Sequence, residues 1–309
     1  MSSFSASDAA LSGFRFIGRR PKTVAIWAAV FLAYELAWGG LVVGLAGDQL
    51  PALKALSRAN GQDQAAAWSM LPGVSLIFLF GLLALLLLGA LLFTAAYRAF
   101  LHPEDDRYGY IRLGSEELRF AALIVLWVAL SIGASFVIAF VSGLLAALGS
   151  VLPQPLQLIY LVIVGAGVAC AFVYPLVRLS FSMPMTMVDR HIRFLESWKL
   201  TRGRFWPLLA AYLLAALLIG VLLIVVWSIV AVVAAIVAVA AGLQLSDLSG
   251  LFRTDTSSLA SYFSPTSLIA AVLNAFASGA ALAIFTAPVA QGYLSVVSDH
   301  EDEAARSEP

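Results

Sequence analysis

The sequence predicts an all-α fold, a polytopic bundle of six transmembrane helices, and three observations predict it. The chain of 309 residues is 61% hydrophobic and only 12% charged, whereas a soluble domain carries about 25% charged residues. Six apolar runs are each long enough to cross roughly 30 Å of hydrocarbon, which takes about 20 residues of helix. Backbone groups in lipid must be satisfied within the segment, so the runs are helices. Finally, all but Lys54, Arg58 and Arg253 of the 18 Lys and Arg residues fall in alternate polar segments. Basic residues are held in the cytoplasm during insertion, which predicts cytoplasmic termini.

The elements follow in order. Residues 1–22 form a cytoplasmic amphipathic segment, with Ser7 or Asp8 as cap and Ala10, Phe14 and Ile17 on one face. Pro21 suits the first turn of span one, where a missing N–H costs nothing. The transmembrane domain is 23–297, with spans at Thr23–Val43, Val74–Tyr97, Phe120–Val141, Leu156–Val177, Pro207–Val230 and Thr266–Val289. Gly44-Leu45-Ala46 loosely resembles a cleavage site, but the run before it is too long for an h-region and contains Glu35, so it reads as a retained span. The external segment Asp48–Gly73 suits two short helices broken at Asn60-Gly61, with Trp68 at the interface. The uncharged link Ser142–Pro155 leaves little room outside. Met185–Arg202 reads as one amphipathic helix lying at the head groups, with Val188, Ile192, Leu195 and Trp198 on its apolar face. From Pro207 to Leu245 nothing is charged, and a continuous helix of that length reaches about 58 Å. Residues 298–309 are an acidic tail expected to be disordered.

Similar endings recur. Phe93-Thr94-Ala95-Ala96, Phe172-Val173-Tyr174-Pro175 and Phe285-Thr286-Ala287-Pro288 close the even spans. Three degenerate helical hairpins, each entered through an amphipathic lead-in helix on the cytoplasmic side, are therefore expected, as parallel repeats about the membrane normal.

Few residues carry chemistry. Glu35 is the only ionisable residue deep in a span, about 18 Å from the cytoplasmic edge. Ser131 and Asn274 fall at similar depth, predicting a mid-membrane polar layer of Glu35, Ser131 and Asn274. Such a layer reads either as a path for a cation or proton or as hydrogen-bonded helix glue worth about 0.6 kcal/mol. Pro175 and Pro288 read as kinks near the cytoplasmic ends of spans four and six. Gly165-x-Gly167, and Ala275 with Gly279, read as small faces for close helix packing. Cys170, the single cysteine, excludes an internal disulfide and reads as a packing residue.

Enzyme signals are weak. His102, His191 and His300 are far apart, and no Cys pair, metal motif or glycine-rich nucleotide loop occurs. No catalytic residue, cofactor or metal is predicted. With a net charge of zero, nothing draws the chain to nucleic acid. The cytoplasmic cations suit anionic lipid head groups or a membrane-protein partner, and Arg178, Arg190, Arg193, Lys199, Arg202 and Arg204 are the candidate surface.

Arg178-Leu179-Ser180-Phe181-Ser182-Met183-Pro184, with Glu196-Ser197-Trp198-Lys199-Leu200-Thr201-Arg202-Gly203-Arg204-Phe205-Trp206, resembles a group of bacterial six-span membrane proteins. The group includes YciC-like proteins and the membrane domain beside some glycerophosphodiester phosphodiesterases. The resemblance implies a bacterial cytoplasmic-membrane protein tied to lipids; it does not imply phosphodiesterase activity, since that chemistry belongs to a separate barrel of about 250 residues. The expected function is non-enzymatic: a membrane-organising or lipid-associated accessory component. The alternative is a small transporter or channel around Glu35.

Overall fold

Six long apolar helices make this a multi-pass membrane protein. The computed structural model describes residues 5–47, 64–104, 106–240 and 258–307, and among these every regular element is helical. In chain order they are α1 (Ala6–Arg19), α2 (Pro21–Ala46), α3 (Gln64–Leu101), a 3-10 turn (Arg107–Tyr110), α4 (Ser115–Gly149), α5 (Gln154–Arg178), α6 (Ser182–Asp189), α7 (Glu196–Leu200), α8 (Phe205–Ala240), α9 (Leu259–Tyr262) and α10 (Pro265–Ser307). The two external helices expected around Asn60-Gly61 lie outside the described residues.

Ser5, not Ser7 or Asp8, caps α1, accepting a hydrogen bond from the Asp8 N–H at 3.3 Å. Pro21 opens α2 with a single residue, Arg20, separating it from α1. The helices α4 and α5 extend past the predicted spans and meet in a tight turn. There the ring of Tyr160 lies where a side chain at Gly149 would stand, 2.5 Å from an added Cβ, so only glycine fits. The Tyr160 hydroxyl closes the tip on the Leu145 carbonyl at 2.9 Å. The helix α8 is unbroken over 36 residues, about 54 Å and far longer than the hydrocarbon is thick.

The sixth long helix is the hub. It packs on α1, α2, α3, α6 and α8. Lipid is as apolar as leucine, so helices associate there through close packing and not through the hydrophobic effect. α10 provides for this with small residues: Ala271, Ala275, Gly279, Ala283, Ala287 and Ala290 are all buried. A Cβ on Gly279 would stand 3.1 Å from the Val24 carbonyl and 3.2 Å from the Ala28 nitrogen of α2. On the opposite partner, a Cβ on Gly13 of α1 would stand 2.5 Å from the Ile284 Cα. α1 is therefore wedged against α10 and α8, with Ala10, Ala215 and Ile284 buried together and Leu218 and Leu222 packed around them. It is a built-in part of the bundle.

Four expectations differ from this arrangement. Met185–Arg202 is two short helices, because Arg190 takes a left-handed conformation at φ 56° that ends α6. Met185, Thr186 and Met187 of α6 are buried, so that helix faces the core and not the head groups alone. α10 runs on through the acidic tail to Ser307, where Glu, Ala and Arg are strong helix formers. A lead-in helix precedes α2 and α8, but α4 follows a 3-10 turn instead.

Small residues do not always mark an interface. Gly165 and Gly167 have nothing within 4 Å of an added Cβ, and Cys170 is exposed on the same helix. These positions face outward with the exposed Leu158, Val162 and Ile163. α5 and α10 run through Pro175 and Pro288 without ending. Each proline leaves the carbonyl four residues earlier, Ala171 or Ile284, without its helical donor.

Substituting Gly13→Ala should prise α1 from α10, whereas Gly18→Ala, with nothing within 4 Å, should leave stability unchanged or slightly raised. Disulfide trapping between cysteines placed at Ala10 and Ile284 measures this: capture should fall sharply for the first variant and persist for the second.

Candidate functional site

The first polar site is built on α2. Glu35 and Gly39 are one turn apart, and Tyr262 of α9 lies across that turn. An added Cβ on Gly39 would fall on the Tyr262 hydroxyl, so the tyrosine occupies space that glycine leaves open. That hydroxyl donates to the Glu35 carbonyl at 2.8 Å. From α10, the Asn274 amide donates to the Glu35 carboxylate at 3.1 Å. These groups line a cavity of about 370 Å³ with Trp227, Ser267, Ala270 and Ala271.

The cavity lies in the half of the bundle away from α1, toward the start of α10. Asn274 is exposed and Glu35 half-buried, so the pair is open to its surroundings. On the other side of it the bundle is closed. The Gly279 contact with Ala28 and a cluster of Phe16, Val24, Trp27, Leu92, Ala95, Ala96 and Leu282 fill the space. The structure thus brings Glu35 and Asn274 together, but not Ser131. Ser131 sits on α4, whose partners are α3, α5 and α6, and it does not line the cavity. Equal depth along a span says nothing about which side of the bundle a residue faces. Tyr262, Trp227 and Ser267 occupy the remaining wall, and no periodicity in the sequence places them there.

The second polar region is the end of the bundle that carries α1, α6, α7 and the 3-10 turn. Arg98, 4% exposed, pairs with Glu116 at 2.7 Å and Glu117 at 2.8 Å and donates to the Tyr110 carbonyl. The Trp27 indole donates to the Gly109 carbonyl at 2.8 Å, and Arg20 donates to the Tyr110 hydroxyl and the Pro103 carbonyl. Tyr108, Gly109 and Tyr110 all have positive φ, 52°, 66° and 66°. This turn, which follows the charged run Glu104-Asp105-Asp106 in sequence, is a plug. Tyr110 and Trp27 are fully buried in it.

The six candidate surface cations divide into three kinds. Arg178 is 6% exposed and lies over the rings of Trp198, at 5.0 Å, and Tyr174, at 5.9 Å. It is therefore an internal cation–π group and not part of the surface expected. Arg193 pairs with Asp189 and Glu196, and Arg204 with Asp299 at 2.7 Å. Arg190, Lys199 and Arg202 are exposed and make no ion pair among the described residues. Beside them stand the exposed Ile192, Leu195, Trp198 and Trp206. Ser197 and Thr201, both buried, donate to the Arg178 carbonyl at 3.0 Å and fasten α7 to the end of α5.

Among the described residues no three His, Cys, Asp or Glu side chains converge as a metal site requires. No protein-family model, curated protein or solved structure matches this chain.

Two outcomes follow. Replacing Arg98 by Ala strands Glu116 and Glu117, and loss of such a buried pair costs about 3 kcal/mol, read as a lowered unfolding midpoint in detergent. Glu35→Cys in a Cys170→Ala background should be labelled by a membrane-impermeant thiol reagent added on the side away from α1. From the α1 side it should stay unlabelled, because the Trp27 cluster lies between.

Proposed function

We propose that this protein is a non-enzymatic, lipid-associated component of the bacterial cytoplasmic membrane, with both termini in the cytoplasm. It would hold anionic head groups through its basic face. The observation that carries this reading is the set of Arg190, Lys199 and Arg202, exposed and without an ion pair among the described residues, on the stretch that also exposes Ile192, Leu195, Trp198 and Trp206. Tryptophans beside cations suit the boundary between head groups and hydrocarbon, where ring and charge each find their own medium. Each cation near an anionic leaflet contributes about 1 kcal/mol of attraction, so three exposed on one short stretch bias which lipids surround the protein. The basic asymmetry of the sequence and its resemblance to lipid-linked six-span proteins support the same reading.

A second reading, a small transporter or channel, is favoured by the open cavity at Glu35. The carboxylate, the Asn274 amide and the Trp227 ring suit a small organic cation, and the packing beneath them would make this state closed toward the basic side.

Changing Arg190, Lys199 and Arg202 together to Gln should halve or more the anionic lipid that co-purifies with the protein, without lowering its unfolding midpoint. Unchanged lipid content in a folded variant would overturn the lipid reading.

A further inference from the structure

A separate cavity of about 350 Å³ lies where α1 meets the end of α3 and the middle of α10. Ser12, Arg15, Arg19, Arg20 and Gln291 form its polar wall, and Phe16, Ala99, Phe100 and Pro103 its apolar one. The three guanidinium groups are not equivalent. Arg20 is committed to Asp106 at 3.3 Å, to Tyr110 and to Pro103, so it is a fixed part of the wall. Arg15 donates to the Asp8 carbonyl at 2.7 Å and has only a long contact of 3.8 Å with the Asp8 carboxylate. Arg19 and Gln291 make no side-chain hydrogen bond or ion pair among the described residues. The acidic partners of the lining arginines, Asp8 for Arg15 and Asp106 for Arg20, both stand largely exposed.

We propose that this cavity binds the phosphate of an anionic phosphodiester, the head group of a membrane lipid. The inference extends the lipid reading to a different place from the Arg190, Lys199 and Arg202 patch. A phosphate oxygen accepts charge-assisted hydrogen bonds from guanidinium groups, and a planar fork suits two of its oxygens at once. The uncommitted Arg19, the partly held Arg15 and the Gln291 amide supply donors from two helices. The Phe16, Ala99 and Phe100 wall gives the glycerol and first methylenes an apolar seat. Basic pockets between transmembrane helices at the anionic leaflet are suited to such head groups. The volume falls at the small end of ligand sites, about 300–1,000 Å³, and admits a head group without its chains. Because α1 is wedged on α10 by Gly13, the two backbones that carry the donors are fixed relative to each other before a ligand arrives.

The test reconstitutes the full chain in phosphatidylcholine nanodiscs carrying a minority of phosphatidylglycerol. Native mass spectrometry then counts the phosphatidylglycerol that remains bound. Wild type should retain one such lipid. Arg19→Ala with Gln291→Ala should weaken its retention about tenfold, the loss of one strong hydrogen bond's worth of affinity, and Arg19→Glu should abolish it. The Arg190, Lys199 and Arg202 triple variant should keep it, which separates this site from the surface patch. Added inorganic phosphate that displaces the lipid would support the same site with free phosphate as its source, and retention against phosphate supports the lipid. Equal retention of phosphatidylcholine, or unchanged retention in both Arg19 variants, would overturn the proposal.

Discussion

The rest of the structure depends on how closely α10 can be approached. In hydrocarbon the helices gain nothing from hiding leucine, so contact distance decides which of them associate. Gly279 lets the α2 backbone in from one side, and Gly13 brings α1 to the α10 backbone at Ile284 from another. Gly292 does the same for the Phe181 ring, 3.2 Å from where its Cβ would be. With these three contacts made, α1, α2 and α6 are positioned, and the plug and the basic cavity are built on what they hold. The hairpin of α4 and α5 is attached mainly through α3 and α6, leaving much of its apolar surface to lipid.

The two halves of the bundle differ in kind. Near the termini, most buried polar groups are spent on one another: Arg98 on two glutamates, Arg20 on Tyr110, and buried serine and threonine hydroxyls on the end of α5, while Arg19, Gln291 and the outer cations stay available. Buried groups that satisfy each other make this end rigid. Away from the termini there is an open cavity with a carboxylate in its wall. A rigid base under an accessible cavity is what a ligand site requires, whichever ligand fills it.

Much of the fold is legible in the sequence because lipid imposes helix and length on any apolar run, and six such runs are plain. Glu35 and Asn274 were legible as a pair for a related reason: rare polar residues in a span seek each other. The remainder is set by side-to-side geometry, which depth along a span does not encode. Ser131 lies at the right level on the wrong helix, and Tyr262 reaches Glu35 from a short element beyond the spans. Arg178 reads as a surface cation by its neighbours in sequence, yet two aromatic rings cover it. The Tyr108-Gly109-Tyr110 plug hides in a charged segment. Its one signal is a glycine between tyrosines where the backbone turns left-handed.

The wedge of Gly13 against Ile284 also constrains how the chain comes to exist. Contacts with α2, α3 and α8 become possible for α1 earlier, but the part of α10 that seats Gly13 is synthesised much later than α1. At a synthesis rate of about 5–20 residues per second, that interval is on the order of tens of seconds or less. Throughout it, the Gly13 face of α1 lacks its partner on α10. Synthesis of α10 is then the step that completes the seat of α1.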